Sequence, residues 1–154
     1  MHTRSLTVVV LITITSPLLA VDGDKAAYIG GTLTVKAKAE GPFSTEDTTE
    51  LVFTAKKTAP VRIPYAAIES LEYGQKAGRR VAVAVLVSPL ALFSKKRNHY
   101  LTITYKDAAG TEQAAVFELG KDIVRQTIAV LEVRSKKQVE YQDEEAKKAL
   151  GGGK

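Results

Sequence analysis

Apolar and polar residues alternate one by one along much of this chain, and the period lengthens only near the end. The clearest case is Val61–Gly74, VRIPYAAIESLEYG. Val61, Ile63 and Tyr65 alternate with Arg62 and Pro64, Leu71 and Tyr73 flank Glu72, and Ala66, Ala67 and Ile68 separate the two halves. Each half reads as a strand with one buried face. Pro64 has no N–H to give to a ladder, so the first half belongs at the rim of a sheet. Upstream, Thr32–Ala39 alternates with Leu33, Val35 and Ala37 on one face, and Glu50–Lys56 does so with Leu51, Phe53 and Ala55. A polar loop, Glu40–Thr48, lies between them. Strands joined by short loops predict an antiparallel meander.

Beyond Gly74 the alternation stops. Val81–Phe93 is apolar except for Ser88 and Pro89, and its flanks are cationic: Arg79 and Arg80 before it, Lys95, Lys96 and Arg97 after it. The run reads either as a strand buried on both faces or as an exposed apolar tip. Alternation returns in His99–Lys106 and Gln113–Leu119, and Asp107–Gly110 supplies the turn of a hairpin. After Gly120 the apolar spacing becomes i, i+4, i+7 with Val124, Ile128 and Leu131, which predicts an amphipathic helix over Asp122–Arg134. Residues 136–154 read as a charged, partly disordered tail. In it Val139 and Tyr141 can make a brief extended contact, and Asp143/Lys147 with Glu144/Lys148 support a helical turn.

The N-terminus changes the picture of where the chain works. Arg4 is the only charge in the first twenty residues, Leu6–Ala20 is apolar or Thr/Ser apart from Pro17, and a small residue stands at Ala20. This is the layout of a secretory signal, with a mature chain from Val21 in a periplasmic or extracellular setting and a linker over 21–30; a buried first strand or an uncleaved anchor is the alternative. Losing Arg4 takes 22 cations against 17 acids to 21 against 17, so the net charge goes from +5 to +4. That mild surplus favours anionic surfaces but lacks the concentrated basic face that nucleic acid requires. No cysteine is present, which excludes disulfide staples, thiolate catalysis and lipid anchoring through a thiol.

The expected fold class is therefore mainly β: six or seven antiparallel strands in a bent sheet or partly open barrel, capped by one C-terminal helix. On the strand, break and strand of VRIPYAAIESLEY, the hairpin HYLTITYKDAAGTEQAAVFEL and the helix KDIVRQTIAVLEVR, the chain resembles the pleckstrin-homology-like superfold of short bacterial proteins and GRAM-type domains. The resemblance covers 31–135. In members that bind phosphoinositides, basic residues gather in the loop joining the first two strands. Here Glu40–Glu50 contains Glu40, Glu46, Asp47 and Glu50 and no Lys or Arg, which disfavours that ligand.

Catalytic chemistry finds no constellation. His99 is the one histidine of the mature chain, too little for a zinc site, and Glu69 and Glu72 are not placed as paired carboxylates. Gly30 and Gly31 precede a strand, whereas a phosphate-cradling loop leads into a helix. Tyr65, Tyr73, Tyr100 and Tyr105 offer stacking rings, but on strands such rings serve first as core. No cofactor or metal is expected. The expectation is a non-enzymatic exported binding module for a protein partner. The alternative is peripheral binding to an anionic lipid surface through Val81–Phe93, with Arg79, Arg80, Lys95, Lys96 and Arg97 as candidate anion or membrane-surface contacts.

Overall fold

A computed structural model describes residues 24–76 and 98–151. Its elements in chain order are β1 (Ala26–Gly31), β2 (Ala39–Gly41), β3 (Phe43–Ser44), β4 (Glu50–Phe53), β5 (Val61–Pro64), a 3-10 turn (Tyr65–Ala67) and β6 (Ile68–Gly74). There follow β7 (His99–Lys106), β8 (Glu112–Leu119), α1 (Val124–Ser135), β9 (Val139–Tyr141) and α2 (Glu144–Ala149). The protein is mainly β. One six-stranded sheet has the order β2-β1-β8-β7-β6-β9, and a three-stranded sheet has the order β3-β4-β5. The barrel is not closed.

Two features join the sheets. The first is the stretch 39–44, whose β2 half pairs with β1 while its β3 half pairs with β4. Pro42 sits at the changeover, and its carbonyl accepts the Thr54 N–H at 3.0 Å. The second is a knot of aromatic rings: Phe117 of β8 meets Phe43 of β3 at 5.0 Å and Phe53 of β4 at 5.1 Å, both edge-on. Edge-on packing places the positive rim of one ring against the negative face of the next. Leu51, Ile63, Leu71, Leu101 and Ile103 complete the core beneath α1, which contributes the stripe Val124, Ile128 and Leu131.

The helix is pinned at its C-terminal end. Arg134 donates to the carbonyl oxygens of Thr45 and Asp47 and to the Tyr65 hydroxyl at 3.1 Å, and its guanidinium lies 5.3 Å from the centre of the Tyr65 ring. One guanidinium nitrogen, Nη1, thus ties α1 to the loop between β3 and β4 and to the 3-10 turn.

Several expectations from the alternation pattern hold. Val61–Pro64 is an edge strand, the break is a single 3-10 turn, and the hairpin of β7 and β8 runs without a register shift from His99↔Leu119 to Lys106↔Glu112. Others are corrected. The expected linker contains β1, a buried strand between β2 and β8. It escapes a search for alternation because AAYIG is buried on both faces, as strands inside a sheet often are. The expected strand Thr32–Ala39 forms no ladder before Ala39. Thr32 instead closes the end of β1 by donating its N–H to the Ala114 carbonyl at 2.8 Å, and the Tyr28 hydroxyl accepts the Leu33 N–H at 3.2 Å. Lys38, at φ 66°, then turns the chain back into β2. Leu33 and Val35 still lean on the core, so their spacing reports burial without a partner strand.

The meander is also broken. β5 and β6 belong to different sheets, and β6 pairs with β7 on one side and, in parallel, with β9 on the other. The charged tail is therefore part of the fold. Val139 is buried, its N–H donates to the Glu132 carboxylate at 2.8 Å, and α2 is capped by Asp143, which accepts the Ala146 N–H at 2.7 Å. The leader, the run Val81–Phe93 and the end of the glycine tail lie outside the described residues.

Candidate functional site

Most chemistry-bearing side chains of the described residues are consumed by the fold. Tyr65, Tyr73, Tyr100 and Tyr105 are buried, so none offers an open stacking face. Burial pushes the Tyr73 phenol up to about 12, and its hydroxyl lies 2.6 Å from His99 Nδ1, with the two rings nearly parallel. His99 is held below its ordinary value, first by burial and then by the charge of Arg125. A protonated phenol beside a neutral imidazole donates to Nδ1, so we assign the ring proton to Nε2. Glu69 is exposed and pairs with Lys106 at 2.9 Å. Glu72 lies on the sheet face away from the core cluster, and one of its carboxylate oxygens is buried with no hydrogen-bond partner among the described residues. The two glutamates are not brought together as a catalytic pair.

The surface differs beside β2, which ends the six-stranded sheet. A half-open groove of about 510 Å³ runs there, lined by Lys25, Lys38, Ala39, Glu40, Gly41, Pro42 and Lys56. Each lysine arrives from a different turn. Lys25 immediately precedes β1, and its carbonyl accepts the Gly120 N–H at 2.8 Å, which fixes that entry. Lys38 stands in the left-handed turn that opens β2. Lys56 lies in the turn after β4, which Thr58 closes by donating its N–H to Ala55 O at 3.3 Å and its hydroxyl to the same oxygen at 3.0 Å. The floor is shaped by close backbone approach, since a Cβ on Gly41 would collide with the Thr54 carbonyl oxygen. Three cations against one lining carboxylate, Glu40, leave the groove positive.

That field reaches into the sheet. Burial raises the Glu118 carboxyl, a hydrogen bond from Asn98 opposes the rise, Glu40 adds to it, and Lys38 and a hydrogen bond from Tyr100 oppose it again.

No protein-family model matches the chain, and no curated protein matches it in sequence. The groove is therefore read on its own chemistry. Among the described residues there is no cluster of three or more metal-ligating side chains, and no helix long and apolar enough to cross a membrane. The five cations singled out in the sequence, Arg79, Arg80, Lys95, Lys96 and Arg97, lie outside the described residues. Sequence reasoning passed over Lys25, Lys38 and Lys56 because they are far apart along the chain. Their shared signal is faint: each stands where a strand begins or a turn closes.

Proposed function

We propose that this protein is a non-enzymatic binding module on a pleckstrin-homology-like scaffold, exported by its N-terminal leader, and that the groove beside β2 is its contact surface. The observation that carries the proposal is the convergence of Lys25, Lys38 and Lys56 on one half-open concavity whose floor is an edge strand. Concave sites with a few converging polar groups are the default places for ligands. The scaffold reading is supported by the two sheets, the strand, 3-10 turn and strand of 61–74, and the helix whose Val124, Ile128 and Leu131 join the core. The non-enzymatic reading is supported by His99, whose Nδ1 is occupied by Tyr73 and whose basicity is lowered.

The test compares the wild-type protein with a groove variant as paired baits. Lys38→Asn with Lys56→Gln removes two charges while retaining a residue type that tolerates the left-handed turn. A partner from the exported fraction captured by wild type and lost in the variant supports the groove. Equal capture by both places the contact surface elsewhere. Turnover of generic ester, phosphate or glycoside substrates that one side-chain change abolishes overturns the non-enzymatic reading.

A further inference from the structure

We infer that the apolar run Val81–Phe93 packs across the second face of the six-stranded sheet, opposite the aromatic core, with its basic flanks beside the glutamates of that face. The inference is independent of the groove. It starts from residues that are buried without belonging to the core. Register places them together: Ala27 stands opposite Glu118, Glu118 opposite Tyr100, Val116 opposite Thr102, Ala114 opposite Thr104 and Thr102 opposite Glu72. Ile29 lies in the register shift beside Gly30, the partner of Val116. Ala27, Ile29, Tyr100, Ala114 and Val116 are each no more than 3% exposed, yet none joins the core cluster, whereas every other buried apolar side chain of the described residues does. Aliphatic side chains buried this deeply on a sheet face have apolar chain against them. The described elements turn their own buried apolar side chains to the other face.

Two apolar lengths of chain lie outside the described residues, the leader and Val81–Phe93. Three arguments choose the second. First, residues 77–97 connect β6 to β7, whose ends are neighbours, with Gly74 opposite Tyr100 of the face itself. A hairpin closes such a gap with about 2–5 residues, so most of this connection is surplus to the turn. The four strands that carry the face span about 15 Å, which a chain rising about 3.3 Å per residue crosses within half of the run. Second, the charges are complementary. Glu72 and Glu118 belong to the face, Glu40 and Glu140 continue its rows at either side, and Glu72 has a buried carboxylate oxygen with no hydrogen-bond partner among the described residues. Arg79, Arg80, Lys95, Lys96 and Arg97 border the run, whereas the leader carries Arg4 alone. Third, the run stays in the chain whether or not the leader is removed. Packed in this way it forms a second core and is withheld from a lipid surface.

The experiment uses the full chain, labelled on its Ala, Ile, Leu and Val methyls. Nuclear Overhauser contacts are expected from residues 81–93, Val83 and Val85 among them, to the methyls of Ile29, Ala114 and Val116. Contacts of this face with residues 6–20 alone would assign it to the leader, and contacts seen only between differently labelled copies would assign it to a second chain. Either result overturns the inference, as does a face that shows no contact with 81–93. A chemical readout follows from the absence of cysteine, which leaves a single introduced thiol without background. Ala114→Cys is expected to react slowly with a maleimide, equally slowly in a chain that starts at Val21, and at least about tenfold faster once Val83→Asp and Val85→Asp are added. If the Asp pair does not fold, Val83→Ala with Val85→Ala carries the same comparison with a smaller increase. Loss of protection on removing the leader, or unchanged protection in a folded Asp pair, overturns the inference. So does binding to anionic vesicles that the Asp pair abolishes while the thiol stays protected.

Discussion

His99 and Arg134 show how single residues set the conditions under which this fold persists. The folded pKa of His99 lies below its ordinary value of 6.5 because burial disfavours its charged form and Arg125 repels the added proton. Above 6.5 neither the folded nor the unfolded chain carries that proton. As the pH falls, the unfolded chain takes it up first, so the contribution of His99 is fully present above 6.5 and lost as the pH falls through the folded value. Glu118 runs the other way, since its raised pKa gives stability below 4.5 that is lost as the pH rises through the folded value. A wild-type melting temperature that falls between about pH 7 and about pH 5, with a flatter profile in His99→Gln, is the expected outcome. Parallel profiles for the two proteins would remove His99 from this role. Arg134 acts through geometry, because its Nη1 alone reaches two carbonyl oxygens and a phenol that no other described side chain bridges to the helix. Arg134→Gln should cost about 2 kcal/mol, a typical value for hydrogen bonds to a charged group, seen as a lower denaturant midpoint at unchanged slope.

At the scale of elements, legibility followed the number of faces a strand buries. β4, β5, β7 and β8 each carry a recognisable alternation or a flanking turn, and their positions could be read from spacing alone. β1 could not, because Ala27 and Ile29 are buried on one face while Ala26 and Tyr28 pack in the core cluster on the other. β9 is only three residues long, and what makes it a strand is the unfilled edge of β6, a fact of topology with no local signature. Deleting residues 136–154 should therefore uncover that edge, together with the side of Tyr73 that Tyr141 packs against. The expected loss is at least about 2 kcal/mol, from the burial of Val139 alone, with aggregation on warming, read by calorimetry and light scattering. A truncated protein that melts as wild type would mean the tail adds nothing to the core. Gly41→Ala tests the corner between the sheets. Its Cβ has nowhere to go but into the Thr54 carbonyl, so a loss of about 1–3 kcal/mol is expected in chemical denaturation, larger than for Gly110→Ala, whose cost comes only from its positive φ.

For the whole molecule, the sequence announced the class of fold but not the site. Fold class follows from periodicity and turn chemistry, which are local. The groove follows from bringing Lys25, Lys38 and Lys56 together across the β1/β2 edge and the turn after β4, which no spacing rule encodes. The alternative of a peripheral membrane contact is carried by Val81–Phe93 and its five cations, and liposome sedimentation tests it directly. Salt-sensitive binding to anionic but not neutral vesicles, weakened by replacing Lys95, Lys96 and Arg97 with Gln, would establish that contact. No sedimentation at any salt concentration would end it. The parallel pairing of β6 with β9 has one more consequence, which concerns synthesis. Leu71 finds its partner Val139 only after the hairpin and α1 have been made, so the nascent chain carries an open strand edge while residues 75–138 are synthesised. Such an edge must be shielded until the last segment emerges.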